Sequence, residues 1–225
     1  MNPFRGSISS GGGEGMELPE EGQHMAVCVG MIDLGTHLEP GYQGAPDREA
    51  RKCFMLFELV NESKEDGTHH VVGVEYTASL NAKSKLVGML QKVRGKNYND
   101  GEDVDVTAVV GKPCQVLINH KKSAAGRTYA RVGDVTSAPK GTKGLKGENG
   151  PLLFIMDEES EEELELPTEA WIPYVVGEAV SEKIKRSPEW KRLQGEQNAA
   201  AVKRPAGGTS SNNGRAARQE MDTPF

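Results

Sequence analysis

The chain has 225 residues, a formal net charge of -6 and a pI near 5.5, with 36% hydrophobic residues and 27 glycines. That length suits one domain, and the thin apolar share excludes a core that occupies the whole chain, so polar flanks are expected. A net negative balance argues against a nucleic-acid partner only while the charge is taken as an average.

Residues 1–22 are rich in Gly and Ser and read as a disordered arm. The texture changes at HMAVCVGMIDLG, His24 to Gly35, which is long and β-branched enough for one long strand. A Pro/Gly-rich loop follows, then RKCFMLFELV (Arg51 to Val60) as a second strand. NESKEDG turns the chain into HHVVGVEYTASL (His69 to Leu80), so the second and third strands form a hairpin.

Next the period changes. Asn81 is placed to cap a helix from Ala82, with Leu86, Met89, Leu90 and Val93 on one face and Gly95 as its left-handed stop. DVTAVVGK reads as a single helical turn closed by Gly111. PCQVLINHKK (Pro113 to Lys122) and GRTYARVGDV (Gly126 to Val135) are the fourth and fifth strands, joined by SAAG. Five strands with one helix between the third and fourth predict a mostly β domain of the oligonucleotide/oligosaccharide-binding type, a five-stranded, partly open barrel spanning residues 23–138.

Residues 139–193 contain a basic Gly-rich linker, an acid block from Asp157 to Glu169, and a helical extension. IPYVVGEAVSEKIKRSPEW reads as helix with Pro173 near its first turn and a second start at Ser187 and Pro188. Residues 194–225 have the composition of a disordered tail.

Charge is divided along the chain. From Lys83 to Lys146 there are 13 Lys and Arg against five Asp and Glu, a net of +8, whereas Asp157 to Glu169 holds eight acids and no base. In the fifth strand Arg127, Tyr129 and Arg131 alternate and so share one face, with Thr128, Ala130 and Val132 toward a core. A basic–aromatic–basic row suits single-stranded nucleic acid: guanidinium groups hold phosphates and the phenol ring stacks on a base. Lys121, Lys122 and Lys52 are further phosphate candidates. Phe54 is a second stacking candidate with core as its alternative, and Tyr76 reads as core.

The three cysteines, Cys28, Cys53 and Cys114, lie far apart in apolar runs, which fits buried thiols in a reducing cytoplasm rather than a disulfide framework or metal cluster. Adjacent His69 and His70 point to opposite faces of a strand. No phosphate loop, nucleophile elbow or paired-carboxylate motif stands out, so neither enzyme nor cofactor is expected. No apolar run approaches the roughly 20 residues that cross a bilayer, and MNPFRGSISSGGGEG lacks the apolar stretch of a signal peptide, so a soluble cytoplasmic protein without a membrane partner is expected.

The chain ends in QEMDTPF. An acid followed by Pro and a large aromatic at the carboxylate does nothing for the chain's own core. With that tip and the domain before it, the chain resembles the bacterial and phage single-stranded DNA-binding proteins, which join an oligonucleotide-binding domain through a disordered linker to an acidic tip ending in Pro-Phe. The segments AVCVGMIDLGT, RKCFMLFEL, EYTASL, GKPCQVLINHK and GRTYARVGDV are similar to phage-encoded proteins of this kind, and LPTEAWIPYVVGEAVSEKIKRSPEW resembles their helical extension. The tip has fewer acids than the family usually shows. The resemblance implies a non-catalytic, sequence-tolerant protein that coats exposed DNA strands in replication, recombination or repair. It also implies that Asp222, Pro224 and Phe225 dock in pockets on replication and recombination proteins. An RNA-binding module of the same fold and a protein–protein adaptor or recombination mediator are the alternatives.

Overall fold

The computed structural model describes residues 17–41, 44–123, 126–142, 144–157, 164–175 and 177–203, the last eight of these by backbone alone. All five expected strands are present: β1 (Gly22–Glu39), β2 (Arg48–Ser63), β3 (His69–Thr77), β4 (Pro113–Lys122) and β5 (Thr128–Ser137). A sixth, β6 (Leu152–Phe154), comes from the segment read as linker and extension. The hydrogen-bonded order is β3-β2-β1-β4-β5, antiparallel throughout, with β6 parallel to β1. The sheet is open, since no ladder joins β3 to β5 among the described residues. The protein is therefore mostly β with a few helices, built on an open six-stranded sheet in place of the expected five-stranded barrel, because β6 adds to β1 and β3 is not laddered to β5 among the described residues.

One helix, α1 (Lys85–Arg94), lies between β3 and β4 in sequence, but it begins later than Ala82. Ser84 is its cap, with Oγ accepting from the Val87 amide, while the Asn81 side chain accepts from Lys83 in the turn before. A Ser oxygen aimed at the third helical amide satisfies an otherwise orphaned donor. Gly95 stops the helix in the left-handed region, as its sequence position indicates. A 3-10 turn follows at Val106–Val109.

β1 is buried without interruption from Ala26 to Gly35 because both of its faces are covered. Ala26, Cys28 and Met31 join Cys53, Met55, Phe57 and Leu59 of β2, Val116 and Ile118 of β4, and Leu86, Met89 and Leu90 of α1 in an inner core. Val27, Val29, Ile32 and Leu34 face the other way and join Phe54 and Leu56 in a second, outer core. The switch from even to odd inner positions along β1 is made by a bulge between Cys28 and Gly30. One extra residue reverses which side chains face a given side.

The outer core is closed by the C-terminal extension. Phe154 and Met156 follow β6, and Val180, Ile184, Trp190 and Leu193 come from α2 (Val180–Arg186) and α3 (Pro188–Lys203). The expected helix from Ile172 is shorter: the described residues before Val180 are not helical, and Val175 and Glu178 instead form a short bridge. The second start is where its sequence signal placed it. The Ser187 hydroxyl accepts from the Trp190 amide and Pro188 is the first helical residue. The helix then continues past Leu193 to Lys203, into residues whose composition reads as tail.

α3 docks on β1 at Gly35, whose φ of 76° and close approach to Ser187 both exclude a side chain. Glu189 secures this joint, accepting from the Thr36 amide at 2.9 Å and the Thr36 hydroxyl at 2.6 Å.

Candidate nucleic-acid interface

Two phosphate and stacking candidates are not at the surface. Phe54 is 2% exposed and belongs to the outer core, its ring filling the space over Gly73 of β3. Lys52 lies on the same face of β2, beneath α2. It is ion-paired with Glu39, donates to the Thr77 hydroxyl at 3.1 Å, and lies 3.8 Å from Glu75, which in turn is paired with Lys183 of α2. Burial, opposed in part by Glu75, lowers the Lys52 pKa from its ordinary value. Both residues are corrected from binding candidates to structural ones, for one reason: the extension covers the outer face of β1 and β2.

The extension's other polar fastenings follow the same line. The Asp33 carboxylate accepts from Arg51, and Arg51 donates to the Met156 carbonyl at 2.9 Å. The fully buried Glu58 accepts from the Glu148 and Asn149 amides, both at 2.8 Å, from the Asn149 side chain at 3.0 Å, and shares a 2.7 Å contact with His69 Nδ1. Burial would raise the Glu58 pKa, but the donated bonds outweigh it and hold the carboxyl below its ordinary range. Glu58, His69 and Glu148 are the one trio among the described residues with potential metal-ligand atoms within 4.8 Å of one another. The Glu58 oxygens are already engaged by these donors, which suits a clamp better than a cation site.

The β4–β5 hairpin differs. None of its residues joins the outer core. Ala130 and Val132 pack on the inner core, so Tyr129 and Arg131 face outward, as the alternation in the sequence indicates. Tyr129 is 44% exposed and Arg131 is exposed. Lys121 is the direct cross-strand partner of Tyr129, and Asn119 that of Arg131, so all four share the outward face. Arg127 is exposed just before β5, at a hairpin end closed by Ser123, whose hydroxyl accepts from the Arg127 amide at 3.1 Å. Lys122 pairs with Thr128 and so takes the opposite side from Lys121. Tyr76 packs against the inner core, as expected.

Sequence reasoning passed over two members of this face. Leu117, 39% exposed, and Asn119 have the same parity in QVLINHK as Lys121, and that period of two was the available signal. The other half was not legible. A bulge opposite Leu117 and Ile118 makes Gly133 the extra residue, so Val132 and Val135 can both face the core. At one end of the face Arg127, Arg131 and Lys121 outnumber the Glu21 carboxylate, which accepts from the His120 amide at 2.6 Å, while Asp134 at the other end is neutralised by Lys92 of α1 at 2.6 Å.

The cysteines are all free and buried. Burial pushes the Cys28 and Cys53 thiols up to about 12 and raises Cys114 as well, which leaves them protonated and unreactive. No helix among the described residues is long and apolar enough to cross a membrane. Asp222, Pro224 and Phe225 lie outside the described residues. No known family model and no curated protein matches the chain.

Proposed function

We propose that this protein binds single-stranded DNA, with little dependence on sequence, across the outward face of β4 and β5. In this reading the sheet is an oligonucleotide-binding fold whose outer β1–β2 face has been given over to the extension. The observation that carries it is Tyr129: a large aromatic residue 44% exposed on a strand, with Arg127 and Arg131 on either side and Lys121 directly opposite. A ring in that position gains little for folding. A base stacked on it gains about 1–3 kcal/mol, and three adjacent cations suit the phosphates on both sides.

In this reading the role is non-catalytic. By resemblance, the terminal Asp222, Pro224 and Phe225 recruit replication or recombination proteins, leaving the hairpin free for DNA.

The test is a fluorescence titration with poly-dT, matched RNA and duplex DNA at two salt concentrations. Single-stranded DNA is expected to bind best. Three phosphate contacts give a slope of log affinity against log salt of about -2. Tyr129→Ala is expected to weaken poly-dT binding about 5- to 100-fold. Deleting Met221 to Phe225 leaves that titration unchanged and abolishes pull-down of host replication proteins. Equal affinity for duplex, or an unaltered Tyr129→Ala, overturns the reading; preference for RNA moves it to the RNA-binding alternative.

A further inference from the structure

Tolerance of sequence need not extend to every position along the bound strand. Asn119 is the direct partner of Arg131 and lies diagonally from Tyr129 on the outward face. Its side-chain amide makes no hydrogen bond to any described residue. It is half-buried, and its nitrogen lies over Gly133, so closely that a Cβ built there would collide with it. Leu117 approaches the same spot and contributes an exposed apolar floor. The backbone of Gly133 is outside the left-handed region, so conformation does not demand glycine here. A side chain there would instead have to displace the Asn119 amide, the movable end of its side chain.

We propose that Asn119 is a base-reading residue, and that the Leu117–Gly133 floor seats the base next to the one stacked on Tyr129. The inference rests on the proposed nucleic-acid interface and deepens it. The strand rise puts the Asn119–Arg131 level about 7 Å from the Lys121–Tyr129 level, a separation that a splayed single strand covers in one step. There the base lies against Leu117, its phosphate reaches Arg131, and its edge meets the amide. An amide offers a donor and an acceptor side by side, the complement of adenine N6 and N7. A lysine or arginine at that position would add affinity without this match; an asparagine adds discrimination. The preferred base at this one position is adenine.

The experiment measures affinities of the full chain for oligo-dA, oligo-dT and oligo-dC of equal length at fixed salt, for the natural protein and for Asn119→Ala, Gly133→Ala and Tyr129→Ala. Each variant is first shown by thermal melting to be folded. Because self-stacking of oligo-dA belongs to the DNA, it cancels when each dA/dT ratio is divided by that of the natural protein. Asn119→Ala is expected to lower the dA/dT ratio about five- to tenfold. Gly133→Ala, which pushes the amide aside, is expected to lower it in the same direction while keeping Asn119. Tyr129→Ala is expected to weaken all three oligonucleotides with the ratio unchanged. An unchanged ratio in Asn119→Ala overturns the inference. If Tyr129→Ala also leaves every affinity unaltered, the interface itself is misassigned, which separates that failure from this one.

Discussion

Phe54 and Tyr129 are both strand aromatics with basic neighbours, yet one is 2% and the other 44% exposed. The difference lies in what covers each strand. β2 carries apolar residues on both faces, and a strand of that kind is stable only between two layers. β5 alternates apolar with polar and charged residues, so one face remains in water. Phe54→Ala is therefore expected to cost about 3–5 kcal/mol of stability, because it empties a packed site beneath Gly73 and α2. Chemical denaturation reads that loss, and the poly-dT affinity of the remaining folded protein should be unaltered. The opposite pattern, stable protein with weak binding, would return Phe54 to the interface. Tyr129 was legible because a period of two needs only its own strand, whereas the burial of Lys52 and Phe54 depends on residues more than a hundred positions away.

The extension and the sheet are joined by apolar packing and by carboxylates that must remain ionised. Glu58 holds the Glu148–Asn149 segment, and Glu189 holds α3 to Thr36. Burial favours the neutral form of both. The bonds donated to Glu58 by Glu148, Asn149 and His69, and to Glu189 chiefly by Thr36, prevail and lower both pKa values. A carboxyl with a folded pKa below its unfolded value stabilises the fold above the unfolded value, about 4.3, and loses that contribution as pH falls through the folded value. Trp190 in the outer core and Trp171 packed against it, the chain's two tryptophans, report the joint by their fluorescence. The expected outcome is loosening of the extension below about pH 4, with a flatter acid response in Glu58→Gln because the titrating clamp is gone. An identical acid profile in that variant would show that Glu58 does not govern the joint. None of this was visible in the sequence, where Glu58 is one acid at the end of an apolar run and Glu189 one acid after a proline.

Across the whole molecule, the two cores share β1 and β2, and this decides how separable the parts are. By composition alone, a cut after Lys146 removes only an acidic spacer and a helical appendage. In the structure it removes Phe154, Met156, Ile184 and Trp190 from the outer core and bares Ile32, Leu34, Phe54 and Leu56. Such a truncation is expected to melt at a markedly lower temperature and to bind an apolar dye, whatever it does to DNA affinity. A truncated protein as stable as the full chain would show that the sheet needs no cover. The acid block itself is better tested by neutralising its residues within the intact chain. At low salt, tighter oligonucleotide binding after neutralisation would mark it as a competitor for the basic face, and no change would mark it as a solvated spacer.

Local chemistry alone determined the five strands, the helix between the third and fourth, the left-handed stop at Gly95, the Ser187–Pro188 helix start and the outward row on β5. Each depends on alternation, capping or turn residues within a few positions of one another. Only the tertiary structure decided which strands are covered on both faces, that β6 pairs with β1, that Lys52 and Phe54 are buried, and that Gly133 makes room for Asn119. Those outcomes depend on contacts between distant segments, and the free energy of burying a face is settled by whichever element arrives to cover it.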